Sequence, residues 1–218
     1  MKIPDFSLYF ITDRTLARSG DISTVVRKAL QGGVRAVQLR EKDLSSHELF
    51  MLAAELRDMT SHFGAKLFIN DRTDIALAVG ADGVHAGKSS LPLPQIRKLL
   101  GPSQLIGYSA HSVEEALLAE AAGADFVTFG PVYYTPSKTV YGPPAGIEKL
   151  KTACLALTIP VYALGGITME NIPEAINTGT AGIGLISAIM AAPDPAAAAT
   201  TLLQIIDQHA LCSRSTHT

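Results

Sequence analysis

Only two cysteines, Cys154 and Cys212, occur in the 218 residues. They make neither a disulfide framework nor a metal-ligand spacing, which suits a reducing compartment. No basic run is present and the net charge is −2. That balance argues against nucleic acid as the main partner and points the scattered cations toward a small anionic ligand. No apolar run approaches the ~20 residues of a membrane span. The N-terminus also lacks a basic-then-apolar leader, so the expectation is a cytoplasmic protein with no membrane partner. The glycine fingerprint of dinucleotide-binding folds does not follow the first strand. No linker or low-complexity stretch divides the chain. A 47% hydrophobic composition over this length therefore predicts one core and one domain.

What the chain does contain is an alternation of short β-like runs with amphipathic helical stretches. The strand candidates are Leu8–Thr12, Ala36–Arg40, Lys66–Asn70, Gly83–His85, Leu105–Ser109, Phe126–Gly130, Pro160–Leu164 and Gly182–Ile186. Helical patterns between them include Thr24–Gln31, Ser46–Phe63, Val113–Ala122, Met169–Asn177 and Ala196–His209. Ser112 with Glu115 reads as a capping box, and Gly123 and Gly179 stand where C-terminal glycines belong. Strand–helix repetition with short connections requires right-handed crossovers and a parallel sheet. Eight units predict a single-domain (β/α)8 TIM barrel over residues 1–212, with a polar, frayed tail at Ser213–Thr218. The length falls below the ~250 residues usual for that fold, so its loops must be short. A doubly wound open sheet is the competing closure.

In a parallel α/β barrel the ligand site forms at the C-terminal ends of the strands. The polar residues of this sequence collect there. Gln38-Leu39-Arg40-Glu41-Lys42 ends an apolar run in a burst of charge. On an extended chain Arg40 and Lys42 point the same way, and two converging cations suggest a phosphate or pyrophosphate. Asn70-Asp71 closes the third strand, Ser109-Ala110-His111 the fifth, and Ile186-Ser187 the eighth. Gly165-Gly166 and Ser187 would bring bare backbone N–H groups to the customary phosphate position of a barrel. Glycines that merely permit a tight turn are the alternative. The loop Tyr133–Gly146 carries Lys138 and has the length of a lid. Asp71 invites Mg²⁺, which takes few carboxylates and completes its shell with phosphate oxygens. His85 and His111 are acid–base candidates; His85 reads better as a hydrogen-bonded barrel histidine, and Cys154 as core.

At these residues the chain resembles the thiamin phosphate synthase and thiazole tautomerase superfamily. The stretches that carry the resemblance are VQLREKDLS, FINDRTDIALAVGADGVHAG, IGYSAHSVEEA, GADFVTFGPVYYTPSK, IPVYALGGIT and GIGLISAI, in the family's order and spacing. The resemblance implies a (β/α)8 barrel in thiamin biosynthesis. On its synthase branch it implies a transferase that joins a hydroxymethylpyrimidine diphosphate to a thiazole phosphate and releases pyrophosphate. Gln38, Leu39, Arg40, Glu41, Lys42, Asn70 and Ser109 would then hold the pyrimidine diphosphate. Arg40, Lys42 and Lys138 would act on the departing charge, and Asp71 would bind Mg²⁺. Thr135, Pro136, Ser137, Gly165, Gly166, Ile186 and Ser187 would hold the thiazole phosphate.

One departure from that pattern matters. The family's Gly-Gln-x-Asp after the fourth strand is here Gly87-Lys88-Ser89-Ser90. Ser90 stands where a second acidic Mg²⁺ ligand is expected, and Lys88 could supply a fixed positive charge instead. The missing carboxylate opens the tautomerase branch, which aromatises a thiazole carboxylate phosphate without metal and whose histidine falls on His111. The intact Gln38–Lys42 segment and Asn70-Asp71 favour the synthase. A non-catalytic barrel that binds a thiazole phosphate is the reading from another class. The outer helices show no apolar excess that assigns an interface, so a homo-oligomer stays open.

Overall fold

A computed structural model describes residues 4–18, 20–135 and 143–215, with side chains through residue 210. The first half alternates β1 (Leu8–Ile11), α1 (Ile22–Gln31), β2 (Ala36–Leu39), α2 (Ser46–His62), β3 (Lys66–Asn70), α3 (Thr73–Val79), β4 (Gly83–Ala86) and α4 (Leu93–Leu100). The second half continues with β5 (Leu105–Ala110), α5 (Val113–Ala121), β6 (Phe126–Phe129), α6 (Ile147–Ala156), β7 (Val161–Leu164), α7 (Ile172–Ile176) and β8 (Gly182–Leu185). It ends in the short α8 (Ser187–Met190) and the long α9 (Pro195–Ser215). Every strand pairs in parallel with its chain neighbours, and β8 returns to β1, so the sheet closes. The expected barrel is therefore the observed one. No described helix is long and apolar enough to cross a membrane.

Strands buried on both faces read as continuous apolar runs, which is why all eight were visible. Their alternation sorts side chains into two layers. Outward residues such as Val37, Leu39, Ile69, Val84 and Val127 pack beneath the helices in the larger core. Inward residues Tyr9, Ile11, Phe68, Phe126 and Tyr162, with Phe6 below them, fill the barrel. The five rings of Phe6, Tyr9, Phe68, Phe126 and Tyr162 lie 5.0 to 6.2 Å apart, mostly edge to face. The Tyr162 hydroxyl donates to the Phe6 carbonyl at 2.8 Å. This aromatic floor closes the lower barrel and leaves the polar inward residues at the opposite rim.

Helix boundaries depart from expectation where local chemistry intervenes. The full capping box belongs to Ser45 and Glu48 ahead of α2. At α5 only half of the expected box forms: Ser112 accepts from the Glu115 N–H. The Glu115 carboxylate turns instead to the His111 N–H and the Tyr108 hydroxyl. α7 begins at Ile172 rather than Met169. Pro173 has no N–H to donate and belongs in a first turn, while Thr168 and Asn171 close a turn of their own before it. α9 continues to Ser215, past the boundary that the polar tail suggests.

Candidate active site

The pleat decides which residues of Gln38–Lys42 can face the barrel mouth. Gln38 and Arg40 continue the inward set begun by Ala36, whereas Leu39 packs in the outer core. Leu39 thus supports the helix layer with its side chain, which leaves its backbone as the part that can face the mouth. Lys42 also departs from the extended-chain argument. β2 ends at Leu39, and Lys42 lies exposed on a turn, so the two-residue repeat that aligns it with Arg40 has already stopped.

Glu41 is 5% exposed, and its carboxylate is fully engaged. It accepts from the Thr12 hydroxyl at 2.7 Å, from the Arg14 backbone N–H, and from the Arg14 guanidinium at 3.2 Å. Arg14 in turn forks onto Asp43 at 2.5 and 2.6 Å. Thr12 Oγ1 also accepts the Arg40 backbone N–H at 3.0 Å. The Glu41 side chain therefore braces the β1 and β2 ends together and, through Thr12, fixes the backbone of Arg40. Glu41→Gln keeps the shape but weakens a buried charged acceptor. It is expected to cost about 2 kcal/mol, read as a lower urea midpoint; an unmoved midpoint would show the brace to be dispensable.

Across the ends of β2, β3 and β4 runs a second chain of hydrogen bonds. Gln38 Nε2 donates to Asn70 Oδ1 at 2.9 Å, and Asn70 Nδ2 donates to Asp71 Oδ2 at 2.7 Å. The Ser90 hydroxyl donates to Asp71 Oδ1, and Ser90 itself accepts the Gly87 N–H at 2.7 Å. Asp71 reaches both partners because its backbone is left-handed, with φ +61°, a conformation that Asp tolerates better than most residues. The carboxylate can only accept, so it fixes the Asn70 amide, and Asn70 fixes Gln38. The consequence is directional. Gln38 must present Oε1 away from Asn70, and that atom is buried without a partner, as is Thr73 Oγ1, among the described residues. A buried acceptor left open is costly, and it suits a ligand N–H.

The same chain bears on a divalent ion. Among the described residues no group of three or more His, Cys, Asp or Glu side chains stands ready for a metal. Asp71 uses two of about four lone-pair positions on Ser90 and Asn70, leaving two. A carboxylate is a hard oxygen ligand, and Mg²⁺ is commonly held by one or two carboxylates plus substrate phosphate and water. The residues fit such an ion as a single-carboxylate site completed by a phosphorylated ligand.

His85 is buried at 1% exposure. Strand register sets it beside Asn70 on one side and Gly107 on the other. Burial, helped by the Arg40 charge, lowers its pKa to about 3, so it is neutral at working pH. Its Nδ1 lies 3.2 Å from the Tyr9 hydroxyl, and its Nε2 3.0 Å from Ser109 Oγ and 3.3 Å from Thr128 Oγ1. The reading of His85 as a hydrogen-bonded barrel residue holds. Ser109 is half-buried, two residues before His111. His111 is exposed, with Nδ1 2.5 Å from the Gly130 carbonyl.

Gly165 and Gly166 both adopt positive φ, +94° and +68°. They also face a close neighbour. A Cβ on Gly165 would lie 2.6 Å from Pro131, and one on Gly166 2.7 Å from Tyr133 and from the Tyr134 carbonyl. The Val132 and Tyr133 N–H groups bond to the Leu164 and Gly165 carbonyls, so the segment after β6 lies along the end of β7. Thr135 donates to the Tyr133 carbonyl, and Tyr133 to Glu174 of α7 at 2.6 Å. Ile186 directly precedes α8, which no side chain caps. The Ser187 N–H opens the helix and has no preceding helical carbonyl to bond, whereas the Ile189 and Met190 N–H groups bond to the Ile186 carbonyl. Pro136, Ser137 and Lys138 lie outside the described residues.

The structure thus gathers Gln38, Arg40, Asn70, Asp71, Ser109 and His111 on strand ends or just past them. It also adds Tyr9 and Thr128, which sequence reading did not single out. Comparison with known proteins identifies the family. The family model described as thiamine monophosphate synthase matches residues 8–189. The chain is 56% identical over 202 residues to a Geobacter sulfurreducens protein provisionally named for that activity, covering 93% of this chain and 95% of the relative. It is 43% identical to the thiamine-phosphate synthase of Desulfitobacterium hafniense, covering 92% and 97%. Among solved structures, thiamine phosphate pyrophosphorylase from Pyrococcus furiosus superposes with a TM-score of 0.86 at 38% identity, covering 93% and 96%.

Proposed function

The chain belongs to the thiamine monophosphate synthase family, and from that premise we propose that it is the transferase itself. It joins 4-amino-2-methyl-5-hydroxymethylpyrimidine diphosphate to a thiazole phosphate and releases pyrophosphate. The observation that carries this reading is the open Gln38 Oε1, an acceptor whose orientation Asp71 and Asn70 fix. It suits the amino group of the pyrimidine. Arg40, on the same inward face, stands next to it.

The chemistry breaks the bond between the pyrimidine methylene carbon and the diphosphate oxygen, and the bonding electrons leave with the diphosphate. The thiazole nitrogen donates its lone pair to that carbon, and the new C–N bond leaves the positive charge on a thiazolium ring. Charge thus builds on the leaving group. Fixed cations aimed at it lower the barrier without reorganising at the moment of reaction. Arg40 is the best placed of them, with Lys42 and Lys88 on neighbouring loops and Lys138 beyond the described residues. Asp71 would hold Mg²⁺, which neutralises diphosphate charge when bound. Gly166, Ile186 and Ser187 offer backbone donors to the thiazole phosphate. Holding both rings in line contributes the entropic part of the acceleration. The substrates are small molecules, and the setting is the cytoplasm with no nucleic-acid partner.

A coupled assay with both substrates and titrated Mg²⁺ tests this directly. Thiamin phosphate that requires both substrates is the expected result, with Ser90 a tolerated replacement for a second carboxylate. If no product forms and a thiazole carboxylate phosphate is aromatised instead, with loss in His111→Ala, the tautomerase reading replaces it. Binding of thiazole phosphate with no turnover would leave a silent barrel.

A further inference from the structure

We propose that Tyr9, acting through His85, fixes the Ser109 hydroxyl as a hydrogen-bond donor into the barrel mouth, making Tyr9 and His85 positioning residues for substrate. The inference rests on the functional reading above only for the identity of the acceptor, which is an oxygen or ring nitrogen of the bound pyrimidine diphosphate.

The number of protons available fixes the direction of each bond. Tyr9 is wholly buried, and among the described residues the one hydrogen-bond partner of its hydroxyl is His85 Nδ1, at 3.2 Å. A neutral imidazole carries one N–H, on either nitrogen. If Nδ1 bears the proton, it must donate to Tyr9, and the phenol hydrogen is then buried with no acceptor. Such an orphan is expensive. If Nε2 bears the proton, Tyr9 donates to the bare Nδ1 and nothing is left over. The Nε2–H then points at Ser109 Oγ, 3.0 Å away. Thr128 flanks the pair, 3.3 Å from Nε2 and donating to Ser109 Oγ at 3.5 Å. With Ser109 accepting from this side, its own proton must go elsewhere. Ser109 is half-buried at the rim, so that proton faces the mouth. In the alternative tautomer Ser109 would donate to Nε2 and offer only lone pairs to a ligand.

Position makes this more than a packing detail. Gln38 presents a fixed acceptor from β2, and Ser109 presents a fixed donor from β5. Each polarity is set by a chain of hydrogen bonds, one ending at a carboxylate and the other at a buried phenol. His85 need never change charge for the second chain to work.

The test begins with ¹⁵N-histidine-labelled enzyme without substrate. Long-range ¹H–¹⁵N spectra should show His85 as the Nε2–H tautomer, and Tyr9→Phe should shift it toward Nδ1–H or a mixture. In Tyr9→Phe, kcat/KM should fall about tenfold. Ser109→Ala should then cost several-fold less in the Tyr9→Phe background than in the parent. A parent spectrum showing Nδ1–H overturns the relay, as does an unmoved tautomer in Tyr9→Phe or fully additive losses. Because the spectra need neither substrate nor turnover, they decide the relay even if the assay above gives no thiamin phosphate. The parent spectrum also decides it should Tyr9→Phe fail to fold.

Discussion

Arg40→Ala is expected to reduce kcat/KM by about a thousandfold, the upper range for losing one preorganised charge donor at a developing anion. Three observations place that expectation on Arg40 rather than on its neighbours. Its side chain continues the inward face of β2, and its charge is felt at the buried His85. Its backbone N–H is also tied to Thr12, which Glu41 holds in turn. Lys42, exposed on a turn, should lose about tenfold on truncation, as a loosely held cation does. Arg40→Lys should recover little, since a point charge cannot reproduce a planar fork against phosphate oxygens. Steady-state kinetics on the three variants, with far-UV circular dichroism to establish folding, would decide the ranking. Equal losses at Arg40 and Lys42 would mean that Lys42 reaches the ligand despite the turn.

That ranking was only partly legible in the sequence. The strands could be read because buried parallel strands are continuously apolar, and their polar ends marked the rim. Strand alternation also separates Gln38 and Arg40 from Leu39, provided the strand's end is known. It fails at Lys42 because the strand ends at Leu39 and the chain turns at Lys42-Asp43, and nothing in the composition of Arg-Glu-Lys announces that turn. The bracing role of Glu41 is hidden in the sequence for a related reason. Its partners Thr12 and Arg14 lie more than 25 residues away in sequence, and a non-local contact leaves no periodic trace. The same holds for Tyr9, which meets His85 across 76 residues. Residue types survived the passage from sequence to site better than wiring did. Asn70, Asp71 and Ser90 were all picked out, but that Ser90 donates to the very carboxylate whose partner it seemed to replace became visible only in three dimensions.

Gly166→Ala is expected to produce two separable effects, and their separation bears on what the glycine pair is for. The added methyl would sit at φ +68° and within 2.7 Å of Tyr133 and the Tyr134 carbonyl. Left-handed backbone costs a non-glycine residue about 1–2 kcal/mol, and displacing a neighbouring backbone adds to that. A total near ~3 kcal/mol should lower Tm by about 10 °C in a chain of this size. A glycine that only permits the turn would stop there, with both substrate affinities changed alike or not at all. A glycine that also lets a phosphate approach bare N–H groups should raise KM for the thiazole phosphate at least tenfold while leaving KM for the pyrimidine diphosphate near its parent value. Gly165→Ala supplies the comparison. Its clash is with Pro131, so it should share the loss of stability without the same selectivity between substrates. If both variants raise the two KM values in parallel, the glycines are there to pack β7 against the segment after β6, and the phosphate must be held chiefly from the start of α8.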